Sequence, residues 1–254
     1  MCRLTAYLGP EIALERIIVT PSHSLLEQSQ AATEAKLATN GDGFGIAWYG
    51  DDPIPGLYRD VLPAWSDGNL PNLCRMVKSH LFLAHVRAST VGEVTRVNCH
   101  PFTSDHWSFA HNGQIADFTR IRRTLESTLP DDLYAQRRGT TDSEMLFMLC
   151  LANGLDADPV TAIQTTLDQI RAVQGDTKAP NRLACVLTNG TSVYGFRHAS
   201  DHASPTLYLS GPLTSGGTAL ASEPLDGDVT NWTALRENEL ICLTGHGTNR
   251  HILH

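Results

Sequence analysis

The sequence has no apolar run long enough to cross a bilayer. A spanning helix needs about 20 apolar residues, and the first apolar stretch, Leu4 to Leu8, is cut short by Gly9-Pro10-Glu11. No basic leader of useful length precedes it. No secretory signal is therefore expected, and the expected compartment is the cytoplasm. CxxC spacing is also missing. Cys2, Cys74, Cys99, Cys150, Cys185 and Cys242 are widely scattered. A chain of this size needs no disulfide framework, and a cytosolic one keeps its thiols reduced. Cys150, Cys185 and Cys242 sit inside apolar runs and read as buried structural thiols. An excess of positive charge is lacking too: 19 Lys and Arg stand against 27 Asp and Glu, a net charge of −8. That balance argues against a nucleic-acid surface as the main partner. There is no internal repeat, no low-complexity tract and no long linker, so one domain over residues 1–254 is expected.

What is present fits a soluble globular chain: 41% hydrophobic and 18% charged residues. Strand-like runs cover Gly45–Tyr49, Leu81–Val86, Trp107–Ala110, Leu183–Leu187, Ser192–Arg197, Thr206–Leu209 and Leu240–Leu243. Asn189-Gly190 reads as the turn of a hairpin, and Asp51 to Gly56 as another turn. Helix-like runs cover Ser22–Gln30 with Ser22 as cap, Phe118–Thr128, Asp142–Asn153 behind a Thr-Thr cap, and Pro159–Val173. Strands dominate both ends and helices the middle, without regular βαβ alternation. That order predicts an α+β fold of antiparallel sheets with helices outside them.

Six stretches invite chemistry. In "MCRLTAYLG" (Met1–Gly9), removal of Met1 would give Cys2 both a thiol and a free α-amine. The amine's pKa near 8 suits it to take the thiol proton. The plain alternative is a strand that happens to carry a thiol. "LAHVRASTVG" (Leu83–Gly92) delivers Arg87 at a strand end, either as a fork for a carboxylate or as a surface salt bridge. "FAHNGQI" (Phe109–Ile115) ends a strand in Asn112-Gly113, which is a turn signal or an oxyanion hole made by an amide NH2 and an unobstructed backbone N–H. "TTDSEMLF" (Thr140–Phe147) puts Asp142 at a helix start, to cap it or to hold an ammonium. The glycines of "NGDGFGIAW" (Asn40–Trp48) suggest close approach to a ligand or another strand, and without a Gly-Lys-Ser/Thr end this is no P-loop. Cys99 and His100 in "NCHPF" (Asn98–Phe102), with His106 and His111, give no zinc spacing. No metal and no cofactor is expected.

Taken together and in this order, these motifs resemble the class II glutamine amidotransferases of the N-terminal nucleophile (Ntn) hydrolase superfamily. The resemblance covers roughly residues 2–150, and "ALASEPL" (Ala219–Leu225) is similar to the second half of the same domain. It implies a four-layer αββα sandwich with antiparallel sheets. It implies Cys2 as nucleophile, Asn112 and Gly113 as oxyanion hole, Arg87 on the substrate α-carboxylate and Asp142 on its α-ammonium. Thr90 is matched to the carboxylate end of the pocket. Ala88 and Val91 depart from members that carry a tryptophan and a histidine there, which bears on the leaving-group side. The motifs are most similar to the stand-alone branch, which includes γ-glutamyl hydrolases of glutathione breakdown and of ergothioneine biosynthesis, and no acceptor domain is expected. The expected reaction is hydrolysis of a γ-glutamyl amide through a thioester on Cys2, releasing glutamate. The alternative is a glutaminase subunit that hands ammonia to a protein partner, a separate synthase.

Overall fold

The computed structural model describes residues 2–35, 38–89, 93–226 and 228–254. Its strands are β1 (Arg3–Ala13), β2 (Phe44–Trp48), β3 (Gly56–Asp60), β4 (Lys78–Val86), β5 (Phe102–Ser104), β6 (Trp107–Gln114), β7 (Arg182–Thr188), β8 (Val193–Ala199), β9 (Tyr208–Ser210), β10 (Thr218–Ala221), β11 (Trp232–Ala234), β12 (Glu239–Thr244) and β13 (Gly247–Ile252). Its α-helices are α1 (Glu15–Ile18), α2 (Leu25–Ala31), α3 (Leu70–Met76), α4 (Phe118–Glu126), α5 (Asp131–Gln136), α6 (Asp142–Ala152) and α7 (Pro159–Gln174).

Among the described residues the strands form two antiparallel sheets. One has the order β11-β9-β10-β1-β4-β2-β3, the other β13-β12-β8-β7-β6-β5. Period-two alternation sorts each strand between two cores. Leu4 and Ala6 of β1 and Leu81 and Leu83 of β4 meet Ala110, Val186 and Ile241 of the second sheet, which makes the layer between the sheets. Tyr7, Phe82, Ala84 and Val86 point the other way, into a core that includes Ile17, Leu25 and Cys74 of α1, α2 and α3. Phe109, Cys185, Leu187 and Phe196 face the third core, with α4, α6 and α7. Three cores between four layers give the αββα sandwich.

The local signals explain most elements. The β7–β8 hairpin turns at Asn189-Gly190, where Gly190 has φ +85° and the Asn189 side chain accepts from the Thr191 and Ser192 amides. Helix α7 starts at Pro159 with Asp158 as its cap. Helix α2 begins later than expected: its cap is Ser24, whose hydroxyl accepts from Glu27 N, and Ser22 lies outside it. Cys150 and Cys185 are fully buried, but Cys242 is only half-buried. No helix among the described residues is long and apolar enough to cross a membrane.

Candidate active site

Cys2 immediately precedes β1, a central strand held by β10 on one side and β4 on the other. The alternation that sends Leu4 and Ala6 between the sheets carries on to Cys2. Its Sγ accepts from Ala88 N at 3.3 Å and its thiol faces Ala88 O at 3.5 Å. Burial pushes the thiol pKa up, against the pull of the Ala88 backbone and of Arg87. The sulfur therefore rests as a thiol and needs a base to become a nucleophile. Arg3 fixes the strand tip, with Nε donating to Cys2 O at 2.7 Å and Nη1 pairing with Glu223 at 3.0 Å in full burial.

Arg87 follows the end of β4. The glycine-rich loop serves it by binding its backbone: Arg87 N donates to Gly43 O at 2.8 Å, and Asp42 N donates to Arg87 O at 2.9 Å. The Asp42 carboxylate then holds Ser89 N at 2.7 Å. Gly43 sits at φ +115°, and a Cβ there would come within 2.6 Å of Cys99 Sγ and 2.8 Å of Asp60 O in β3, so this glycine permits a close approach to the neighbouring strand. The Arg87 guanidinium is buried at 3% exposure. It donates to Glu93 O and Ser89 Oγ, and among the described residues no carboxylate pairs with it.

Strand β6 runs on through His111, Asn112, Gly113 and Gln114, so Asn112-Gly113 is not a turn. The ladder to β7 overrides the local turn signal: Asn112 lies opposite Ala184 and Gly113 opposite Leu183. Asn112 is fully buried, and its Nδ2 donates to Ser222 Oγ at 2.7 Å. Asp142 is the first residue of α6, while Thr141 does the capping, accepting from Glu144 N at 3.1 Å. That leaves Asp142 to accept from Ile115 N at 2.7 Å and Ser143 N at 2.9 Å. It forms no ion pair among the described residues. Asn98 ties the two charged segments together, accepting from Thr140 N and donating to Glu93 O.

Three buried histidines cluster at this cavity: His100 and His111 line it, and His85 packs against His100. The rings of His85 and His100 lie 4.2 Å apart with their planes tilted by 38°, and His111 Nδ1 sits 2.9 Å from Ser143 Oγ. Burial pushes the His85 pKa down to about 3, with Arg87 nearby adding to the effect. His100 is lowered for the same reason and by His85. Burial lowers His111 as well, against the pull of Asp142. All three are therefore neutral at pH 7. Among the described residues no group of three or more His, Cys, Asp or Glu could hold a metal ion.

Cys2, Arg87, Gly113 and Asp142 all line one cavity of about 530 Å³, together with His100, His111 and the segment Gln114 to Arg120. Asn112, fully buried, is not among its lining residues. Thr90 lies outside the described residues. A larger cavity of about 740 Å³ opens elsewhere, among Glu11, Arg16, Lys78 and Trp232, but it contains neither thiol nor imidazole. Sequence reasoning did not single out His85, Asp42, Asn98 or Ser222 for the site. His85 shares the alternation of Leu81 and Leu83 and so could be placed between the sheets. Ser222 could not be found without knowing which strands pair.

An αββα sandwich with a thiol one residue ahead of a central strand, in a cavity with a buried cation and an acid, defines an Ntn-type amide hydrolase. The comparisons place the chain more closely. The family model for class-II glutamine amidotransferases matches residues 17–210. A probable glutamine amidotransferase of Saccharomyces cerevisiae, DUG3, is 32% identical over 96% of this chain and 82% of its own. The γ-glutamyl-hercynylcysteine sulfoxide hydrolase of Mycobacterium tuberculosis is 30% identical over 97% of this chain and 94% of its own. A solved class-II domain protein from Silicibacter pomeroyi has 34% identity and a TM-score of 0.79, covering 99% of both chains. The glutamine phosphoribosylpyrophosphate amidotransferase of Bacillus subtilis, at 19% identity and a TM-score of 0.69, shares the fold over 99% of this chain and 49% of its own. The chain belongs to the class-II glutamine amidotransferases and is an enzyme.

Proposed function

We propose that the protein hydrolyses a γ-glutamyl amide of a small molecule, with Cys2 as nucleophile. The observation that carries this reading is the charge left unspent in the cavity. Among the described residues Arg87 is buried without a carboxylate and Asp142 stands without a cation, both in the cavity that holds the Cys2 thiol. A buried unpaired charge is costly. A ligand with an α-carboxylate and an α-ammonium would complete both, as the head of a γ-glutamyl group does. The hydrolase named among the relatives supports the same substrate class.

In the proposed sequence, removal of Met1 frees the Cys2 α-amine, which takes the thiol proton directly or through water. The thiolate attacks the γ-carbonyl carbon. The carbonyl oxygen takes up the negative charge and is stabilised by Gly113 N–H and the Asn112 amide. The C–N bond breaks, and the protonated amine passes its proton to the leaving nitrogen. Water then cleaves the thioester, giving glutamate and the free thiol. Thr90 is assigned to the carboxylate end of the cavity by its motif position. Residues 1–254 act as one domain. The cytoplasm suits an enzyme that needs its thiol reduced.

A panel of glutamine, glutathione and other γ-glutamyl amides, scored by glutamate release, tests this on protein whose N-terminal mass shows Cys2 first. Turnover by the protein alone, lost in Cys2→Ala, is the expected result. Glutamate release from glutamine only after a second protein is added would make the chain an ammonia-delivering subunit instead. Unchanged turnover in Cys2→Ala would end the reading.

A further inference from the structure

The amide nitrogen of Asn112 is held by a side chain that the reaction scheme does not use. Ser222, directly after β10, is fully buried. Its backbone N donates to Leu4 O at 2.9 Å, which continues the β1–β10 ladder. Its hydroxyl oxygen accepts from Leu4 N at 2.9 Å and from Asn112 Nδ2 at 2.7 Å. A serine oxygen has two lone pairs, and both are thereby taken. One bond goes to β1, two residues from the nucleophile. The other crosses to β6 in the opposite sheet. Among the described residues this is the hydrogen bond that Asn112 Nδ2 makes, and the same side chain also interacts with the buried His85.

We propose that Ser222 is a positioning residue for the oxyanion hole, acting through Asn112. An amide NH2 is planar and has two hydrogens. With one fixed on Ser222, the direction of the other is fixed as well, and so is its place relative to the strand that ends in Cys2. Without the hydroxyl, Asn112 Nδ2 loses the partner that sets its direction, and the amide's terminal torsion is broad and intrinsically soft. The donor would then pay its ordering cost in the transition state, where preorganisation matters most. The γ-glutamyl clamp at Arg87 and Asp142 does not touch Ser222, so ground-state binding is spared.

This inference rests on the reading of Asn112 as an oxyanion donor, and a double-mutant cycle separates the two. Steady-state kinetics on the best γ-glutamyl amide would be run for the wild type, Ser222→Ala, Asn112→Ala and the pair. Ser222→Ala is expected to lower kcat about 10- to 100-fold with KM within about threefold. In the Asn112→Ala background the same change is expected to cost less than about twofold. Ser222→Thr, which keeps the hydroxyl, is expected to recover most of kcat. An equal cost in both backgrounds would overturn the inference, as would a loss confined to KM. If Asn112→Ala alone leaves kcat intact, the oxyanion reading itself fails and takes the Ser222 inference with it. Should Ser222→Ala not fold, the Thr variant carries the test in the same cycle, where a kcat equal to the Asn112→Ala value would overturn it.

Discussion

At Gly113 one methyl group is enough to break the site. The residue has φ +118°, and a Cβ built on it would lie 1.8 Å from Arg182 O in the neighbouring strand. Backbone cannot yield to that contact as a flexible side chain can, and L-residues rarely adopt this φ. Gly113→Ala is therefore expected to push β6 away from β7 and to lower kcat about 100-fold or more, measured beside a thermal melt that reports the strain. Arg87 gives a second prediction at this scale. Arg87→Met removes the cation assigned to the substrate carboxylate but keeps most of the volume. Loss of a charge-assisted contact costs about 2–5 kcal/mol, so kcat/KM on γ-glutamyl amides should fall about 30-fold to several thousandfold. A small neutral acyl amide compared side by side should not show that loss. Equal effects on both substrates would mean that Arg87 supports the fold rather than the α-carboxylate.

The element after β10 matters as a unit. Glu223 accepts from Arg3, His23, Thr33 N, Thr33 Oγ1 and Glu34 N. Despite burial, these partners hold its carboxyl down at about 2, with Thr33 and His23 the largest lowering contributions. Arg3 in turn holds the Cys2 carbonyl, so the acid braces both β1 and the chain after α2. Glu223→Gln leaves the Arg3 guanidinium buried without its counter-charge, which costs about 3–5 kcal/mol in comparable pairs. Urea unfolding is expected to show that loss. The order of elements was readable in the sequence where a local signal agreed with the tertiary structure, as at Asn189-Gly190 and at Pro159. It was not readable where pairing decides. Asn112-Gly113 reads locally as a turn, yet the β7 ladder makes it strand. Ser22 looks like a cap, yet Ser24 has the geometry. Motif order singles out Cys2, Arg87, Gly113 and Asp142, and those four line one cavity. Ser222 joins Asn112 from 110 positions away, a contact no local pattern encodes.

The whole molecule carries a pH dependence set by its buried histidines. The His85 pKa is about 3 in the folded chain against 6.5 when exposed, and His100 and His111 are shifted in the same direction. Below pH 6.5 the unfolded chain takes up these protons while the folded chain does not. The stabilisation is thus complete above pH 6.5 and is lost as the pH falls toward the folded values. Each such histidine contributes a slope of up to about 1.4 kcal/mol per pH unit in that window. Glu223 acts lower: its contribution is complete above pH 4.5 and fades toward pH 2. Melting temperature should therefore drop steadily from pH 7 to pH 5, above the range in which Glu223 acts. A flat profile across that interval would mean that the three imidazoles are not held neutral by the fold.

The four layers converge on one claim, that the sulfur of Cys2 meets the side-chain carbonyl carbon of a glutamyl group held by Arg87 and Asp142. A diazoketone with the shape of glutamine would alkylate the sulfur that occupies this place. Intact-mass and peptide-mass measurement after incubation reads the outcome. Protein beginning at Cys2 is predicted to gain a single adduct on Cys2, and Arg87→Met to gain none under the same conditions. Active protein that begins at Cys2 and yet shows no adduct there, or shows it on another residue, would contradict the account.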